Sequence, residues 1–142
     1  MKRSSAIFFV SSLLLSTASL ADLKASEPAK VYIGDNGEKV ETVVVNDSKE
    51  IVAHLVGVGA PWEGKTFTWT LKDKGDGDKA ATYKVKRGSK TEDHNAMLFS
   101  GGGWTLYPQG TNKEISVYYS KGDSEKVKAA DILKMATSSS SN

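Results

Sequence analysis

The chain has 142 residues, enough for one domain and too few for two. It contains no cysteine, which excludes disulfides, thiol catalysis and thiolate metal sites. Basic residues number 19 and acidic residues 17, and removing Lys2 and Arg3 with the leader leaves 17 of each, so charge gives no pointer to nucleic acid.

Residues 1–21 read as an export signal. Lys2 and Arg3 open it, Ala6 to Leu15 form a short apolar run broken by Ser11 and Ser12, and Ser19-Leu20-Ala21 places small residues two apart. That pattern predicts cleavage after Ala21. The apolar run falls short of the roughly 20 residues that span a bilayer. The expectation is a mature chain in the periplasm or outside the cell, with no stable membrane insertion.

Residues 22–29 are polar and read as a flexible lead-in to a single β-rich domain over 30–137. Lys30 to Gly34 suits a short strand, and Asn36-Gly37 is a strong hairpin signal before a return strand from Glu38 to Val45. Asn46-Asp47-Ser48 is a second turn and also fits the N-glycosylation acceptor pattern. Lys49 to Val58 carries apolar groups on both faces, as expected of a strand covered on both sides.

Gly59 to Lys65 breaks the pattern and holds Trp62. Phe67, Trp69 and Leu71 then alternate with threonines, and Ala81, Tyr83 and Val85 alternate with polar residues. Two strands with one buried face follow from that spacing. The six residues Asp73 to Asp78 between them read as the turn, and Gly88 to Asn95 as a charged connection. A short apolar run from Ala96 to Phe99 precedes Gly101 to Gly103, a wide turn or bulge before a strand from Trp104 to Tyr107. Glu114 to Ser120 is the last strand, with Ile115, Val117 and Tyr119 on one face.

After Gly122, Asp123 or Ser124 can cap a helix. Ala129, Ala130, Ile132, Leu133 and Ala136 share its apolar face, with Val127 and Met135 off it. Residues 138–142 are a serine-rich tail expected to be disordered. The sum is a mainly β fold: a small antiparallel β-barrel or sandwich of seven or eight strands. One C-terminal helix plugs an end or covers a sheet face.

No residue pattern demands a cofactor or metal. Asp73, Asp76 and Asp78 lack the spacing of a calcium loop and read as a solvated hairpin tip. His54 and His94, the only histidines, lack a third ligand and any nucleophile turn, which leaves a small hydrolase or metalloenzyme as the weakest reading. The aromatic residues point elsewhere. Trp62 in a Gly/Pro loop either folds back as a lid over the core or meets a partner, and with Trp104, Tyr107 and Tyr118 near loops it fits a binding surface for a protein or glycan partner. The first expectation is therefore an exported, non-enzymatic binding domain of inhibitor, immunity or accessory type. The second is a barrel that carries a small apolar ligand.

Overall fold

The computed structural model describes residues 23–140, so the expected leader and the last two residues lie outside the described residues. Eight strands follow one another: β1 (Lys30–Gly34), β2 (Lys39–Val45), β3 (Glu50–Val56), β4 (Thr66–Gly75), β5 (Asp78–Arg87), β6 (Lys90–Ser100), β7 (Gly103–Leu106) and β8 (Ile115–Tyr119). Each runs antiparallel to the next, and β8 pairs back onto β1, so the sheet closes into an up-and-down barrel. After β8 the described residues form two helices, α1 (Lys121–Lys126) and α2 (Ala129–Ser140).

The alternation in the sequence sets what lies inside. Tyr32, Val40, Ile51, Ala53, Leu55, Trp69, Ala81, Trp104, Leu106 and Val117 form the buried interior, joined by Phe67, Leu71, Tyr83, Phe99 and Ile115. A second cluster lies on the outer wall. There Ile132 and Ala136 of α2 cover Val43, Val45 and Val52, which explains why β2 and β3 are apolar on both faces. The helix thus covers a sheet face and does not plug an end. Leu133 and Met135 also pack in this cluster, whereas Ala130 is exposed.

Several boundaries differ from expectation for local reasons. β4 and β5 run through most of the acidic stretch, and the turn is only Asp76-Gly77, with φ of 55° and 84°. Both values suit the two-residue hairpin turn that matches strand twist. The charged connection at Gly88 to Asn95 is largely strand as well. β5 and β6 form a long hairpin whose charged outer end consists of cross-strand pairs, Lys84 opposite Asp93 and Val85 opposite Glu92. A register shift between Ala81 and Thr82 marks a bulge that lets adjacent Ala96 and Met97 both be buried.

Gly101-Gly102 make a tight turn and Gly103 already belongs to β7. A Cβ on Gly103 would lie 2.4 Å from the Val117 carbonyl oxygen, so only glycine lets β7 approach β8 this closely. The polar lead-in is tied down: Ser26 N–H donates to the Val44 carbonyl (2.7 Å), and Asn46 N–H to that of Lys24 (3.2 Å). The C-terminal segment is helical through Ser140.

The expected single helix is broken at Val127-Lys128. Its first piece starts earlier, at the N-cap Ser120, whose hydroxyl accepts from Asp123 N–H. This early start completes the barrel seam. Ser120 N–H donates to the Val31 carbonyl (2.9 Å), and Val31 N–H donates to Ser124 Oγ (2.8 Å), beyond the last β1–β8 residue pair. Without these partners the end of β1 would leave buried backbone groups unpaired.

Candidate functional site

The barrel has two unlike ends. At the first, the chain between β3 and β4 folds Trp62 inward. The Glu63 carboxylate accepts from the N–H groups of Gly57 (2.9 Å) and Gly59 (2.8 Å), closing the loop at its base. These backbone donors hold the Glu63 carboxyl below its ordinary range. The Trp62 ring packs 5.5 Å from Phe67 and 5.2 Å from Trp69, centroid to centroid. With 3% of its surface exposed, Trp62 is a lid on the core.

Beside this lid lies a cleft of about 630 Å³, open to solvent. One wall is the outer part of the β5–β6 hairpin, which carries Tyr83, Arg87, His94 and Asn95. The other is the segment from Tyr107 to Glu114 between β7 and β8. The hairpin wall is braced on its outside. Asp93 sits between Lys72 and Lys84, both at 2.8 Å, and these two ammonium groups lower its pKa to about 2. The Tyr83 and His94 rings lie 5.8 Å apart across the hairpin. The facing segment is fixed at its root, where Tyr107 N–H donates to the Ala96 carbonyl (2.9 Å). Thr111 then donates through its hydroxyl to the Pro108 carbonyl (2.8 Å). The cleft thus has aromatic rings on a mainly polar lining, with both charges represented.

At the opposite end, Tyr32, Phe99 and Trp104 form an edge-to-face cluster, with centroid distances from 5.1 to 6.5 Å. A cavity of about 100 Å³ enters the barrel beside them, with Lys30 and Lys79 in its lining. Trp104 is 4% exposed, and its Nε1 is the one buried side-chain polar atom without a hydrogen-bond partner among the described residues. An orphaned donor of this kind costs about 1–3 kcal/mol. The indole N–H and the Tyr32 hydroxyl interact closely enough to favour the phenolate slightly, although their geometry falls short of a regular hydrogen bond. Burial prevails at Tyr32 and raises its pKa, so the phenol keeps its proton.

The four aromatic residues singled out from the sequence do not share one mouth. Trp62 and Trp104 are buried toward opposite ends of the barrel, and Tyr118 is 55% exposed on its outer wall. Only Tyr107 lines the large cleft. By alternation Tyr83 reads as an inward strand residue, and His94 enters the sequence reading only for metal or hydrolase chemistry; the expected connection at Gly88 to Asn95 gives no reason to place the two side by side. The histidines occupy separate surroundings: His54 Nδ1 lies 2.9 Å from Thr66 Oγ1 on the outer wall, beside α2, while His94 faces the cleft. Among the described residues no group of three His, Asp or Glu side chains is placed to hold a metal ion. No helix among them is long and apolar enough to cross a membrane.

Fold and cavities define a closed, small eight-stranded barrel with a polar cleft at one end and a narrow mouth, apolar within and carrying Lys30 and Lys79, at the other. Comparison with known proteins finds no matching family model, no matching curated protein and no matching solved structure.

Proposed function

We propose that the chain is an exported, non-enzymatic binding domain that takes an oligosaccharide across the cleft between the β5–β6 hairpin and the 107–114 segment. The observation that carries this reading is the cleft itself. Its 630 Å³ lies within the roughly 300–1,000 Å³ range of ligand sites, and its lining combines Tyr83, Tyr107 and His94 with the amides of Asn95, Gln109 and Asn112. Aromatic faces stack on the apolar faces of sugar rings, and planar amides bind their hydroxyl pairs. The open shape suits a chain of sugars better than a small apolar molecule, which needs a deep enclosure. Export rests on the leader pattern alone.

Calorimetric titration of the purified protein against a panel of oligosaccharides tests the reading. Saturable binding is expected, and Tyr107→Ala should weaken it about tenfold, equivalent to ~1.4 kcal/mol, a loss in line with a stacked ring. Tyr118→Ala, on the outer wall, should leave it unchanged. No binding to any glycan, or binding indifferent to Tyr107→Ala, overturns the assignment. A protein partner captured through the same cleft residues would replace the glycan and keep the site.

A further inference from the structure

The opposite mouth is built differently, and it stands independently of the glycan reading. Period-2 alternation puts Lys30, two residues before inward Tyr32, and Lys79, two before inward Ala81, on the inner face of the barrel. Lysine on an inner face is unusual unless its head group reaches water or an anion. Lys30 is paired with Glu27 at 3.2 Å. Lys79 makes no ion pair among the described residues; Asp73, its cross-strand neighbour on β4, accepts instead from the Gly75 N–H (2.9 Å). Besides the two lysines and Glu27, the lining is mostly apolar, with Val44, Ile51, Leu71 and Phe99 beside Tyr32 and Trp104 and the Thr42 hydroxyl as a polar interruption. At the roughly 30 Å³ that a water occupies in the liquid, about 100 Å³ holds on the order of three waters, room for the head group and first carbons of a ligand whose tail extends toward the opening.

We propose that this mouth binds a small aliphatic carboxylate, its head group held by Lys79 and the Tyr32 phenol and its hydrocarbon set against Leu71, Ile51 and Phe99. A carboxylate seated beside Tyr32 also supplies the acceptor that the buried Trp104 N–H lacks. This orphaned donor distinguishes the site from an apolar void, which would take a neutral hydrocarbon equally well.

The test is a ¹H–¹⁵N titration of the full protein with sodium hexanoate, reading the indole N–H cross-peaks. The Trp104 peak is identified by its loss in Trp104→Phe. Should that variant not fold, its proximity to Phe99, 5.1 Å ring to ring, assigns it in the wild type. The expected result is a saturable downfield shift of that peak. Lys79→Met should weaken the binding about tenfold, and so should replacing hexanoate by neutral 1-hexanol, because each removes a charge-assisted contact. No saturable shift, equal binding of hexanol, or unaltered affinity in Lys79→Met overturns the proposal.

Discussion

Trp104 shows how one side chain can be well placed for its rings and badly placed for its nitrogen. Its faces gain from Tyr32 and Phe99, while its N–H finds no acceptor. Two substitutions separate these effects. Trp104→Ala empties the space and should lower stability by about 3–5 kcal/mol. Trp104→Phe loses part of the ring but also removes the orphaned donor, so its loss should stay below about 1.5 kcal/mol. Urea unfolding of both variants measures this, and a Trp104→Phe loss well above about 1.5 kcal/mol would show that the N–H is satisfied in solution. Asp93 offers a test of a different kind. Its carboxyl titrates at about 2 because Lys72 and Lys84 flank it, below the 3.8 of an isolated aspartate. A carboxyl depressed in the folded state contributes stability above its unfolded pKa. That contribution disappears as pH falls from about 4 to about 2. Carboxyl NMR titration should show this midpoint, and Lys72→Met with Lys84→Met should return it toward 3.8. Raised salt should move it the same way, since all three groups are solvent-accessible.

Among the elements, α1 does more than its six residues suggest. Ser124 Oγ accepts from Val31 N–H and donates to the Ser120 carbonyl (2.6 Å), joining the helix to the end of β1. Ser124→Ala should therefore cost about 1–3 kcal/mol and speed amide hydrogen exchange at Val31. A silent substitution would mean that water replaces the hydroxyl. This role was not legible in the sequence. Ser124 reads locally as a helix cap, and a partner 93 residues away leaves no local trace. The strands were legible wherever one face is buried, as in Phe67-Thr68-Trp69-Thr70-Leu71, because period-2 alternation is a local signal. It failed on the outer β5–β6 hairpin. There both faces meet solvent, so Lys90 to Asp93, inside the expected connection, has the composition of a loop and the hydrogen bonding of a ribbon. The cleft is walled by that ribbon, so the pairing of Tyr83 with His94 was not legible.

At the scale of the whole molecule, closure decides which aromatic residues remain available for recognition. A closed sheet removes the unpaired edges and turns every second residue inward. In a small eight-stranded barrel that interior is only wide enough for side chains to fill it or for one small ligand. Trp62, Trp69 and Trp104 are spent on filling it, each at most 4% exposed, and recognition falls to the ends. Trp62 takes the lid position because Glu63 draws its loop shut over the core. Acrylamide quenching of tryptophan fluorescence in the folded protein tests this closure most directly. Uniformly blue-shifted emission with weak quenching of the whole signal is the expected result. A fraction of the emission quenched as readily as free tryptophan would mean that at least one indole faces water, and would contradict the closed, filled barrel.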